Sequence, residues 1–369
     1  MTTARRRAET GAAWLRERRR VVAATLVEVE GSAPFEVGAT MLIDADDAIE
    51  GSVTGGCVEA ALVEEAHEVF AGGGPRIATY GVSDELAGTV GLACGGTVHV
   101  LVQELSGPAL EVELRALAAV AAGTPVAIAT VLDGSRRGEK LAIIDGEPTG
   151  ELSGPALFNH SVTRDAIGML EQGASGIRRY GEDGTTLAAE VGVLVQSFAP
   201  APRMLICGAI DFSAALGRIA REVGYEVTIA DPREAFLRSP RFGEAGTPLR
   251  QWPQDAVAAM GLGPRDAMIV FSHDAKLDEP ALLAAFATPV GYIGALGSRR
   301  TTAERNRRLL EAGAGEADLR RIHAPCGLDI GGSTPEEVAI SVLAEIIAVR
   351  NGRAGAPLRE TREPIHQRS

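Results

Sequence analysis

Two short glycine–cysteine segments carry the most distinctive chemistry in this chain. Gly55-Gly56-Cys57 stands at the start of a stretch with helical periodicity, and Cys94-Gly95-Gly96 stands just before an alternating one. The first segment is read as opening a helix that runs from Gly55 to Ala71, with Glu59 in the same first turn. A thiol in a helix first turn feels the positive end of the dipole, which favours the reactive thiolate form. Paired glycines let a backbone come close to a ligand. Soft thiolates suit soft metals and sulfur transfer. Cys57 and Cys94 are therefore the candidate catalytic and metal-ligating residues, and Gly55, Gly56 and Gly95 the candidate contacts beside them. A pair of inert core thiols is the plain alternative. Cys207 falls inside an apolar run and is read as buried, and Cys326 lies on a loop before the last helix.

A second set of candidates gathers in the C-terminal half. The run MLICGAIDFSAALGRIAREVGYEVTIADPR reads as strand, glycine turn, amphipathic helix, strand and terminal acid. That is the start of a dinucleotide-binding fold, in which G-x-G-x-x-G places a pyrophosphate on a helix N-terminus. Here only Gly208 of the three glycines is present; Ile210 and Ser213 replace the others. Asp211 is expected at the helix N-cap, where its carboxylate would satisfy the free amides and repel a phosphate. Two readings follow, an ordinary capped helix or a ligand held in another pose or through a cation. Asp231 ends the second strand, where an acid usually bonds a ribose 2′-OH, and Arg233 follows it. Ser272, His273 and Asp274 end the next strand, and His273 is a candidate contact. Gly297, Ser298, Arg299 and Arg300 follow another strand and offer amides and guanidinium groups to an anion.

The elements needed to position these residues are legible as patterns. Strands are expected at 20–29, 40–43, 97–103, 125–132, 140–144 and 191–198, with helices at 108–122 and 155–172. The stretch 107–198 shows no chemical motif and is read as completing the fold of the first region. Pro200, Ala201 and Pro202 form a stiff linker. Beyond it, the two strands of the run from Met204 and further strands at 266–272 and 289–296 alternate with helices, which implies a doubly wound parallel sheet. A long helix closes the run at 335–350. The expected domains are residues 11–199 and 203–350, with a polar, disordered tail at 351–369.

The chain has 369 residues, more than one core usually serves. Its net charge of −13 argues against nucleic acid as the main partner. The basic residues Arg5 to Arg7, Arg16 and Arg18 to Arg20 are read as the solvated face of a first helix. No apolar stretch reaches the length of a membrane span, and no h-region follows the basic start, so no signal peptide is expected. Four cysteines without zinc-finger spacing fit reduced thiols in the cytoplasm.

Six segments together resemble the XdhC/CoxI family, the maturation factors of xanthine dehydrogenase and carbon monoxide dehydrogenase. They are GSAPFEVGATMLI, GSVTGGCVEAALVEEA, GLACGGTVHV, the glycine turn at 208, YIGALGSRR and GLDIGGSTPEEVAISVLAEIIAVR. The resemblance implies an N-terminal mixed α+β domain of XdhC/CoxI type and a C-terminal Rossmann-like domain. It implies a cytoplasmic accessory factor rather than a turnover enzyme. Such a factor binds molybdenum cofactor, as the plain molybdopterin or its cytosine dinucleotide form, supports its sulfuration with a cysteine desulfurase, and delivers it to a molybdenum hydroxylase. Carried onto this chain, the contacts are Gly55, Gly56, Cys57, Cys94 and Gly95, with the Rossmann edge supplying others. Family members commonly have Gly-x-Gly-His at the turn, where this chain has Gly208-Ala209-Ile210-Asp211. A homodimer is compatible with the resemblance and with the apolar final helix. The competing reading is an NAD(P)-dependent oxidoreductase, with Asp231 favouring NAD. A third is an interaction protein with an empty site.

Overall fold

The computed structural model describes residues 3–31, 35–81, 96–185, 190–272 and 274–361. The chain divides into two compact units between Pro200 and Ala201. The first unit opens with helix α1 (Thr3–Arg16) and continues through β1 (Val21–Glu30), β2 (Thr40–Asp44), β3 (Ile49–Gly51), α2 (Glu59–Phe70), β4 (Arg76–Tyr80) and β5 (Thr97–Glu104). The same order then repeats as α3 (Gly107–Ala122), β6 (Val126–Val131), β7 (Lys140–Ile144), β8 (Glu147–Thr149), α4 (Ala156–Gln172), β9 (Gly176–Tyr180) and β10 (Val191–Phe198). Each run forms a five-stranded antiparallel sheet, with order β3-β2-β1-β5-β4 in one and β8-β7-β6-β10-β9 in the other.

The first unit is thus one module built twice. Residues 107–198 join the first region in one compact unit, and they do so as a second sheet with the element order of the first. In each module one helix lays an apolar stripe on one sheet face. Leu62, Ala66 and Val69 of α2 pack on Val22, Ala24, Val98 and Val100. Phe158, Val162, Ala166 and Met169 of α4 pack on Ala127, Ala129, Val193 and Val195. These helix positions recur at the spacing of one face of a helix. The two modules then bury residues against each other at matching places, Val27 and Leu101 with Leu132 and Leu194.

Two buried glutamines fasten this contact reciprocally. Gln103 Nε2 donates to the Gly138 carbonyl (2.6 Å), and Gln196 Nε2 donates to the Gly38 carbonyl (2.8 Å). Both glycines have positive φ, 94° and 88° for Gly38 and Gly138. A Cβ on Gly138 would fall 2.7 Å from Gln103 Nε2. The exchange has the form of a two-fold contact, in which one patch meets its own copy. The basic residues of α1 are not all solvated, as the sequence suggested: Arg7 reaches in to donate to the Thr40 carbonyl.

The second unit carries β11 (Arg203–Cys207), α5 (Asp211–Glu222), β12 (Glu226–Ala230), α6 (Glu234–Leu237), α7 (Pro240–Ala245), β13 (Thr247–Leu249), α8 (Pro253–Met260), β14 (Ala267–Val270), α9 (Ala275–Phe286), β15 (Tyr292–Ala295), α10 (Arg299–Glu311), α11 (Glu316–Leu319), β16 (Ile322–His323) and α12 (Pro335–Arg350). Its six parallel strands lie in the order β13-β12-β11-β14-β15-β16. That is the dinucleotide-fold order, with its switch point between β11 and β14. Met204 and Ile206 pack toward α5 and α12, whereas Leu205 and Cys207 pack toward α8 and α9. The sheet is therefore wound on both faces, as the strand–helix alternation requires. Two short strands, β13 and β16, escape the sequence reading because neither is long enough to show a period. The tail after Arg350 takes a defined path as far as Thr361. Asn351 caps the helix through Ile347 O, residues Leu358–Glu360 make one helical turn, and Gly355 lies against Leu328.

Candidate functional site

The strand ladders show where the loop of Cys57 emerges. Gly51 pairs with Met41, which pairs with Ala24; Tyr80 pairs with Val98, which pairs with Val29. Both β3 and β4 therefore run toward the end of the sheet where β1 finishes. The chain leaves that edge at Gly81 and returns at Gly96. Cys94 and Gly95 lie outside the described residues. Phe35, from the loop after β1, lies beside Gly55, whose added Cβ would sit 3.2 Å from the ring.

The helix does not open at Gly55. It begins at Glu59, with Val58 as N-cap, so Cys57 precedes the cap and is not in the first turn. Gly55 and Gly56 have φ of 80° and 122°, which turns the chain tightly ahead of the helix. The loop is held by Glu59, whose role exceeds that of a first-turn acid. Its carboxylate accepts the backbone N–H groups of Val53 (3.2 Å), Thr54 (2.9 Å), Gly55 (3.1 Å), Gly56 (2.8 Å) and Val58 (3.1 Å). It also accepts the hydroxyls of Ser52 and Thr54. Burial pushes this carboxyl up, and the hydrogen bonds outweigh burial and hold it at about 2. These amides already have an anion, so the loop does not offer them to a phosphate. What it presents is Cys57, a free, half-buried thiol.

The second module supplies a comparison inside the same chain. Its matching segment, Gly150 to Asn159, has neither cysteine nor a glutamate placed as Glu59 is. There Asn159 accepts the Leu152 N–H (2.9 Å) and donates to the Leu152 carbonyl (2.7 Å), while Glu139, from outside the segment, accepts the Ser153 N–H (2.8 Å) and hydroxyl (2.6 Å). Arg136 closes that edge by donating to Ser153 O (2.8 Å) and Glu182 (2.7 Å) while stacking over Phe158. The fold alone therefore does not demand Gly56, Cys57 or Glu59. They are specialised features of the first module.

In the second unit, Gly208 has φ 102°, and a Cβ there would fall 2.9 Å from the Ser272 backbone. The first glycine is thus required by the approach of β14. Asp211 is not the N-cap. Ile210 holds that position and no side chain caps the helix; Asp211 is the first helical residue, exposed and bonded to Arg241. Asp231 is 0% exposed. It accepts the Ala209 N–H (2.9 Å), the Arg233 N–H (2.9 Å), and Arg233 Nε (2.8 Å) and Nη2 (2.7 Å). Burial pushes its carboxyl up, and Arg233 and the amides hold it below its ordinary value. The carboxylate braces the turn; a ribose hydroxyl would have to displace Arg233 to reach it.

Ser298 caps α10, accepting the Thr301 N–H (3.1 Å). Arg299 is exposed, and Arg300 is 89% exposed and spent on Glu304 (3.0 Å). Gly297 takes φ 144° at the turn. His273 lies outside the described residues. The sequence reading passed over Arg305, which is buried at the same edge and donates to Leu296 O (3.0 Å). Its signal was faint, since it is one of several arginines on a basic helix. Cys207 and Cys326 are buried, and burial pushes both thiols up, Cys326 to about 12. Neither is a nucleophile. Among the described residues no cluster of three acidic, histidine or cysteine side chains is set to hold a metal. No described helix is long and apolar enough to cross a membrane.

A duplicated module bearing one Glu59-braced cysteine loop, joined to a dinucleotide-type sheet with an altered turn, defines the class. The chain belongs to the XdhC/CoxI family: residues 14–81 match the XdhC and CoxI family, and residues 204–346 match the XdhC Rossmann domain. It is 27% identical, over 92% of its length and 96% of the relative's, to a protein of Bacillus subtilis named as a probable xanthine dehydrogenase subunit. It is 28% identical, over 89% of its length and 83% of the relative's, to the molybdenum cofactor insertion chaperone PaoD of Escherichia coli. A crystal structure described as a xanthine dehydrogenase of Bacillus halodurans matches it with a TM-score of 0.64 and 26% identity, over 96% of this chain and 98% of that one.

Proposed function

We propose that this protein is an accessory factor that binds molybdenum cofactor, supports its sulfuration with a cysteine desulfurase, and delivers it to a molybdenum hydroxylase in the cytoplasm. The observation that carries the reading is the loop of Cys57, braced by Glu59, since the matching loop of the second module has neither the cysteine nor that glutamate. The names of two relatives, a probable xanthine dehydrogenase subunit and a molybdenum cofactor insertion chaperone, support it. When bound, the cofactor would supply a soft metal and its sulfido ligand. Cys57 fits that soft partner, with Cys94 as the proposed second thiol and Gly55, Gly56 and Gly95 beside them. Because Glu59 fills the loop amides, they do not hold the pterin phosphate; within the second unit, the carboxyl edge of the sheet, with Gly208 and Gly297, is a separate candidate seat for a phosphate. This is a binding and delivery function without obligatory turnover. A homodimer through α12, where Ile340 and Ile347 are exposed, belongs to the same proposal.

Cys57→Ala is expected to lower the pterin content of the purified protein at least tenfold, read by mass spectrometry of the released pterin. Unchanged content would refute the role of this thiol. The competing oxidoreductase reading is weakened by the occupied Asp231. Calorimetric titration with NAD is expected to show no micromolar binding; a micromolar affinity would restore that reading.

A further inference from the structure

Helix α10 carries an unusual concentration of unsatisfied polar atoms. Thr302 Oγ1, Arg305 Nε and Nη2, and Asn306 Oδ1 are each buried without a hydrogen-bond partner. Arg305 and Asn306 lie three and four positions beyond Thr302, so each neighbours it on the helix surface. Arg305 is only 4% exposed. One of its nitrogens, Nη1, is spent on Leu296 O, just past the end of β15, which fixes the guanidinium at the carboxyl edge of the sheet. The charged neighbours do not use the remaining donors. Asp278 and Glu279 are near enough to act on Arg305 electrostatically, but Asp278 accepts the Ser272 hydroxyl and Glu279 is bonded by Arg308. Cys326 is close as well, yet its thiol is pushed up to about 12 and stays neutral.

A buried cation with two idle donors is unfavourable unless something pairs with it. Nε and Nη2 form the side-on fork of a guanidinium, which matches two oxygens of a phosphate. The Thr302 hydroxyl adds a third donor, and the Asn306 amide supplies a donor or an acceptor according to which way round it stands. We propose that Arg305, with Thr302 and Asn306, is a receptor for a phosphate group at the carboxyl edge of the second unit. As the seat of the cofactor's phosphate it rests on the reading above; as a phosphate site it stands alone. It replaces Arg299 and Arg300, whose side chains face solvent.

The test is calorimetric titration of the full chain with inorganic phosphate and with cytidine monophosphate at low salt. The unaltered protein is expected to bind, Arg305→Gln at least tenfold more weakly, and Arg305→Lys in between. Arg307→Gln, which removes an equal charge from the exposed face of the same helix, is expected to bind normally. Tighter binding of the nucleotide than of free phosphate assigns the site to a nucleotide. If Arg305→Gln does not fold by circular dichroism, Arg305→Lys and Thr302→Val carry the comparison. The proposal is overturned if the unaltered chain binds neither probe, which would leave a buried water as the occupant, or if Arg305→Gln binds as well as the unaltered chain. Phosphate binding in a protein that never carries pterin would keep this site and remove the molybdenum reading.

Discussion

Glu59→Gln is expected to loosen the loop of Cys57 and cost the first unit about 2 kcal/mol. The carboxylate accepts from five backbone amides and two hydroxyls. A glutamine offers one oxygen instead of two and brings two donors into a ring of donors. Amides left without an acceptor lose a charge-assisted bond, the stronger kind. The effect depends on pH in a defined direction. The folded carboxyl sits at about 2, below the ordinary value near 4.3 of an unfolded chain. Its stabilisation is thus complete above the unfolded value and is lost as pH falls toward 2. The gap in thermal midpoint between Glu59→Gln and the unaltered protein should stay constant from pH 7 to about pH 5 and then narrow. A gap that widens on acidification would contradict the ring of hydrogen bonds. Glu59→Asp should not rescue, because the shorter side chain cannot span Ser52 to Val58. If the loop displays Cys57, both variants should also lose pterin, as Cys57→Ala does, although the thiol is intact.

Gly208→Ala is expected to destabilise the second unit by about 3 kcal/mol or more. Two separate penalties combine. A φ of 102° is unfavourable for any residue with a Cβ. The added carbon would also stand 2.9 Å from Ser272 N, Cα and Cβ, so no rotamer can relieve the clash. Relief requires β11 and β14 to separate at the switch point, where the parallel ladder joins Cys207 to Val270. Urea unfolding followed by probes of each unit should show the transition of the second unit moved to lower urea and that of the first unmoved. A shift equivalent to less than about 0.5 kcal/mol, the size of an ordinary surface substitution, would mean that the close approach is not a constraint.

Much of the second unit was legible in the sequence because its signals are local. Apolar runs of strand length, an amphipathic helix and a terminal acid fall in order between Arg203 and Asp231, and they appear as β11, α5 and β12. β13 and β16 were illegible because short edge strands are defined by their neighbours. The duplication in the first unit left a trace that the reading missed. The pattern V-x-V-L-V-Q occurs at 98–103 and again at 191–196, and Tyr-Gly at 80–81 recurs at 180–181. The trace is faint because a repeated core asks only for apolar residues at matching places. The two glutamines are its sharper mark, since each must find a carbonyl in the other copy.

The glycine–cysteine segment and the altered turn were fixed as features by composition and spacing alone. Residue types state which groups are available, and Gly55, Gly56, Cys57 and Gly208 needed no coordinates to be singled out. Tertiary structure decided what those groups are free to do. It filled the loop amides with the Glu59 carboxylate, bound Asp231 to Arg233, turned Asp211 toward Arg241, and buried Arg305 with two donors idle. A hydrogen bond is settled by which donor stands within about 3 Å of which acceptor. Residues distant in sequence reach that distance only when the sheets are assembled.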